Sequence, residues 1–228
     1  MVREQVLSYI KTASVYLIAA AVLGLPFFFL PMTSDALEIP KQIALIGVTL
    51  VLLLLFGVRG ILEGKFSFRR SPFDLALAAI FLVILISAVL SGTRTTSIIA
   101  AIPLLSVVIF TFLIINTITT EKEERIILVS ALASGAVLAI LILLQFLKIY
   151  VLPYPIAQTP TFSLAGSVLA ATLFLFPLIP LGLFNLLAYW QKTQSAGGLP
   201  KAGEEEVFTG FFLGASVLII IGAVLGLY

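Results

Sequence analysis

The chain has 228 residues and contains neither His nor Cys. That absence removes the commonest general base near neutral pH, the commonest metal ligand, thiolate nucleophiles and disulfides. No metal centre and no cofactor is expected. What chemistry remains must come from 13 Lys and Arg and 11 Asp and Glu residues. Three of the cations stand apart, each isolated beside a long apolar run: Lys41, Arg94 in Ser91-Gly92-Thr93-Arg94-Thr95, and Lys148. A cation in that setting suits an anionic partner, and Arg adds a planar fork that can grip two oxygens at once. The plainer role for such an Arg is to anchor a helix end among lipid headgroups.

The elements that must position these residues are apolar runs of membrane-spanning length. Seven occur, at roughly 12–30, 41–58, 73–91, 97–116, 126–147, 164–190 and 207–227. Each is near the ~20 residues needed to cross a bilayer core as a helix. Open backbone in hydrocarbon would leave amide groups unpaired, and the runs are too long and too uniformly apolar for barrel strands. The expected fold is an all-α polytopic bundle of about seven spans forming a single transmembrane domain over 1–228. Composition agrees: 61% hydrophobic and 11% charged residues with a mean hydropathy of +1.22 exclude an ordinary soluble domain, where about a quarter of residues are charged. A net charge of +2, scattered over connections, offers no stripe for nucleic acid.

With the N-terminus placed inside, ten of the thirteen basic residues fall on the inner side and only Lys41, Arg94 and Lys148 on the outer. This is the positive-inside pattern. It predicts a cytoplasmic N-terminus, inner connections at 59–72, 117–125 and 191–206, and outer ones at 31–40, 92–96 and 148–163. Asp35 and Glu38 become the only outer carboxylates. The first run reads as an uncleaved helix because a second span follows at once.

Several local features have structural readings. Pro177 and Pro180 should kink or break the sixth helix, since each lacks a backbone donor and crowds the preceding turn. The pairs Gly210-x-x-x-Gly214 and Gly222-x-x-x-Gly226 allow close helix approach. Asn116, Gln145 and Asn185 suit interhelical hydrogen bonds. Asp74, two residues after Pro72, favours a helix N-terminus. The acidic runs at 121–124 and 204–206 read as solvated loop ends. Segment 148–163 holds three prolines with Tyr150, Tyr154 and Phe162; it reads as a simple outer connection anchored at the interface, the alternative being a lid over an outward-facing site.

The order of landmarks resembles a known family. Asp35-Ala-Leu-Glu-Ile-Pro-Lys41 leads into the second helix, and Arg69-Arg-Ser-Pro-Phe-Asp74 opens the third. Gln145 precedes the Pro-rich outer segment, and Thr161-Phe-Ser-Leu-Ala-Gly166 leads to Leu169-Ala170 and Phe176-Pro-Leu178. Together they resemble the N-terminal part of the O-antigen ligase and polymerase family of bacterial membrane glycosyltransferases, over nearly the whole chain. The resemblance implies a plasma-membrane protein that moves glycan from an undecaprenyl-diphosphate carrier to an acceptor on the outer face. It also implies that the catalytic outer loop, often with a His, lies beyond the seventh helix. The chain then reads as an N-terminal portion, inactive alone and completed by further helices or a partner membrane subunit. On this reading Arg94, Lys41 and Lys148 are the candidates for binding the lipid diphosphate. The alternatives are part of a secondary transporter, against which stand the missing repeat symmetry and intramembrane charges, and a non-catalytic membrane subunit.

Overall fold

A computed structural model of the chain describes residues 2–30, 37–66, 68–149, 163–184, 187 and 204–225. Among these residues the structure is helical, without strands. The helices are α1 (Val2–Gly24), α2 (Glu38–Glu63), α3 (Asp74–Leu90), α4 (Arg94–Thr117), α5 (Glu121–Phe146), α6 (Val168–Leu175) and α7 (Glu204–Leu225). A 3-10 turn over Leu25–Phe27 extends α1. Four helices, α1 with this extension, α2, α4 and α5, are long and apolar enough to cross a membrane. Helix α3 has 17 residues, about 26 Å of rise, slightly under a typical hydrocarbon core.

Each apolar run contains a helix, but several helices outreach their runs. Helix α1 begins at Val2 and takes in the polar segment before Lys11. Helix α2 continues to Glu63, so Arg59 is helical and pairs with Glu63 at 2.7 Å, one turn on. Residues 121–123 and 204–206 open α5 and α7 as helical turns. Hydropathy marks where side chains are apolar, whereas a helix runs until its backbone is capped or broken. Gly64 provides such a stop for α2, at φ 71° with its amide donating to Ile61 O.

Proline breaks the sixth run as expected. Helix α6 starts under the Ser167 hydroxyl, which accepts from the Ala170 amide, and ends at Leu175. Residues 176–177 form a turn, and helix resumes over 178–184. Pro103, by contrast, is carried inside α4.

The chain divides into two units, Met1–Ala21 with Leu30–Ile127, and Val22–Phe29 with Leu128–Tyr228. In the first unit α4 packs against both α2 and α3. The inward seam of α3 is Asp74, Leu77, Phe81, Ile84 and Ala88, alternating three and four residues apart as packed helices require. Four phenylalanines close one end: Phe56 of α2, Phe66 and Phe68 of the following connection, and Phe112 of α4, with neighbouring ring centroids 6.0–6.4 Å apart. Because Phe56 and Phe112 both lie toward the C-terminal halves of their helices, α2 and α4 run in the same direction.

The second unit is built on Leu132, Ala136, Leu138, Ala139 and Ile142 of α5, Ala171 and Leu175 of α6, Leu178, and Ala215, Ile219 and Ala223 of α7. Small residues bring these helices close. A Cβ on Gly222 would stand 2.7 Å from Ala139 Cα, and one on Gly182 would strike the Ser216 side chain. Gly222 of the second small-residue pair is therefore used inside the chain; Gly226 lies outside the described residues.

Candidate functional site

The three candidate cations occupy different local settings. Arg94 is the first residue of α4, exposed, with no hydrogen-bond or ion-pair partner among the described residues. Of the amides at the start of α4 only Thr93 N–H meets a side chain, Ser91 Oγ at 3.3 Å; the Thr93 side chain makes no cap bond, and the Ser97 and Ser91 hydroxyls pair with each other at 2.6 Å. A helix N-terminus with uncapped amides carries partial positive charge, and Arg94 adds a full one beside it. Thr95 and Thr96 are exposed in the same turn. The ensemble has the chemistry of an anion site.

Lys41 lies in the first turn of α2, half-buried and already engaged in an interaction. It shares with Arg94 the helix ends remote from the phenylalanine cluster. Lys148 belongs to the second unit. It terminates α5 at φ 60°, with Lys148 N–H donating to Gln145 O and Ile149 N–H to Leu144 O at 2.9 Å each. This is a Schellman cap, with a Lys where Gly is usual. A cation there also offsets the partial negative charge of the helix end, so Lys148 has a structural role of its own. Glu38 is exposed in the first turn of α2, whereas Asp35 lies outside the described residues. The same holds for Asn185 and for 150–162, including Tyr150, Tyr154 and the prolines of that segment. No group of three or more His, Cys, Asp or Glu suited to a metal occurs among the described residues.

The densest polar network is at the opposite end of the first unit. The Arg3 guanidinium donates to Leu62 O, joining the start of α1 to the end of α2. Arg69 donates its amide to Asn116 Oδ1 at 2.8 Å and its guanidinium to Ile118 O at 2.9 Å, tying the α2–α3 connection to the end of α4. Asn116 thus serves a connection, with its own Nδ2 turned back to Phe112 O. Lys11 of α1 meets Glu123 Oε1 at 2.6 Å and donates to Thr119 Oγ1 at 2.7 Å. The start of α1 and the connections after α2 and α4 therefore share one end, as alternating passage through a layer requires.

Glu123 is the hub of this end. Burial opposes its ionisation, but the Lys11 ammonium and the Thr119 and Thr120 amides outweigh that cost and hold its carboxyl at about 2. It also completes a capping box: Thr120 N–H donates to Glu123 Oε2 at 3.0 Å, while Glu123 N–H points back to Thr120 Oγ1 at 3.4 Å. A looser box precedes α3: Ser71 N–H donates to Asp74 Oδ2 at 2.8 Å, while Ser71 Oγ accepts from Phe73 N–H at 3.3 Å and Asp74 N–H donates to Ser71 O. Both have a sequence signature, Thr120-x-x-Glu123 and Ser71-x-x-Asp74. The run 121–124, expected as a solvated loop end, is a helical first turn in which Glu121 and Glu124 are exposed and Glu123 is half-buried; the pairing of Glu123 with Lys11, 112 positions away, has no local signal.

Comparison of the chain with protein-family models, with curated proteins and with solved structures finds no match.

Proposed function

We propose that this chain is a multi-pass membrane segment of about seven spans, with its N-terminus cytoplasmic, that binds the diphosphate of an undecaprenyl-linked glycan on the outer face of a bacterial plasma membrane. It would be the early-helix part of an enzyme of the O-antigen ligase and polymerase kind. The observation that carries the reading is Arg94: an exposed, unpartnered guanidinium on the uncapped first turn of α4, on the side that the charge distribution assigns to the outside. The order of sequence landmarks around Asp35–Lys41, Arg69–Asp74 and Gln145 supports it. The chain has no His or Cys to activate an acceptor, and Asp35 and Glu38 are its only outer carboxylates, so on this reading the segment binds carrier and leaves transfer to residues elsewhere.

Arg94→Lys separates carrier binding from simple anchoring. Lys preserves a snorkelling charge but cannot reproduce the two-oxygen fork. In the complete enzyme we expect Arg94→Lys to lower glycan transfer roughly tenfold and Arg94→Ala further, a step of about 1.4 kcal/mol for the lost charge-assisted bond. Equal transfer by wild type and both variants would leave Arg94 as an anchor only.

The orientation is tested separately. Because the chain has no Cys, single substitutions Ser67→Cys and Ala157→Cys can be probed with an impermeant maleimide in intact cells. Labelling at 157 and none at 67 is expected. The reverse pattern would invert the topology and remove Arg94 from the outer face.

A further inference from the structure

A groove of about 450 Å³ lies between α3 and α4 in the first unit, lined by Asp74, Leu77, Phe81 and Leu82 on one side and by Ile109 and Phe112 on the other. Its volume is within the range of small-molecule and lipid-chain sites. From Asp74 to Leu82 it follows about 12 Å of helix. All its lining residues but one are apolar, and the exception is a carboxylate at the end where α3 begins.

That carboxylate is half satisfied. Asp74 Oδ2 accepts the Ser71 amide in the capping box, whereas Oδ1 is buried with no hydrogen-bond partner. A charged acceptor left without a donor costs more than about 1–3 kcal/mol, so the position is suited to a cationic donor. Oδ1 is closed to water in this conformation, and the broad χ2 torsion of an Asp allows the carboxylate to turn toward the groove it already lines. Just ahead of α3 stand two arginines. Arg69 is committed to Asn116 and Ile118, but Arg70 is exposed and has no partner among the described residues. An unsatisfied carboxylate thus lines the end of an apolar groove, and a free guanidinium stands four residues before it in the connection that leads into α3.

We propose that this groove binds a phospholipid with a primary-ammonium headgroup, one acyl chain lying along Leu77, Phe81 and Phe112, the ammonium donating to Asp74 and the phosphate meeting Arg70. Charge complementarity selects the occupant. A purely anionic headgroup would face Asp74 unfavourably, and a quaternary ammonium has no hydrogen to donate. The inference rests on α3 and α4 lying in a bilayer and is independent of glycan transfer.

The experiment is native mass spectrometry of the delipidated full chain with phosphatidylethanolamine, phosphatidylcholine and phosphatidylglycerol of identical acyl chains. Wild type is expected to retain phosphatidylethanolamine roughly tenfold more than either of the others. Asp74→Asn keeps an oxygen for the Ser71 amide, so α3 stays capped, and should reduce retention of phosphatidylethanolamine to that of phosphatidylcholine. Equal retention of all three by wild type, or a preference that survives Asp74→Asn, would overturn the proposal. Should that variant fail to fold, phosphatidylethanolamine with a photoactivatable acyl chain decides on wild type: crosslinks within 77–82 or 108–112 support the site, and crosslinks confined to other segments refute it.

Discussion

Replacing Gly222 by Leu is expected to destabilise the second unit by about 3 kcal/mol or more, whereas Gly214→Leu, two turns earlier on the same helix, should change stability by less than about 0.5 kcal/mol. The difference follows from what each new side chain meets. A Cβ at 222 would come 2.7 Å from Ala139 Cα and 3.4 Å from a Leu175 methyl, while one at 214 has open space for 4 Å. Backbone on the facing helix cannot rotate away as a flexible side chain can. Helix α7 would have to lift from α5, exposing Ala139, Leu175 and Ile219, all at most 1% exposed. Lipid replaces apolar contacts without a hydrophobic penalty, so close van der Waals fit is what such helices lose when forced apart. Unfolding of both variants in bicelles, followed by SDS titration or steric trapping, measures the effect. Equal stabilities would mean that α5 and α7 do not pack through Gly222.

Acid should weaken the first unit in a defined window through Glu123. Its folded-state value of about 2 lies below the ordinary 4.5. The ionised form is therefore bound more tightly in the folded chain, and the resulting stability is complete above about pH 4.5. It is lost progressively as pH falls from 4.5 toward 2. The full shift would correspond to about 3 kcal/mol, but Lys11 and Glu123 retain 27% and 16% of their side-chain exposure, and solvent screening reduces the expected contribution to about 2 kcal/mol. Glu123→Gln should cost that amount at neutral pH and flatten the acid dependence between pH 4.5 and 2. Lys11→Met should do most of the same by removing the ammonium while keeping the aliphatic stem. Glu124→Gln, one residue on and exposed, serves as the control with no effect. A Glu123→Gln variant that keeps the wild-type acid profile would show that Glu123 is not the titrating group.

Class and element order were legible because they depend on composition and on stretches of local sequence. Seven apolar runs, each containing a helix, needed only hydropathy; the break at 176–177 needed only the missing amide of Pro177; and the helix start at Asp74 needed only a carboxylate two residues after a proline. The isolated cations Lys41, Arg94 and Lys148 could likewise be picked out from their neighbours. Their separate environments could not, since whether a cation is free, engaged or used as a helix cap depends on backbone conformation, as at Lys148 with its positive φ. Tertiary structure alone decided which charges pair. Lys11 with Glu123, Arg3 with Leu62 and Arg69 with Asn116 join positions 47 to 112 residues apart. It alone decided, too, that Gly222 meets Ala139 and that Asp74 keeps one oxygen unpaired at the end of an apolar groove. Periodicity reports which face of a helix is apolar, but in a chain that is apolar nearly all round it carries little record of which face meets which helix. That choice is made by shape, as small residues admit close backbones and bulky ones leave grooves between them.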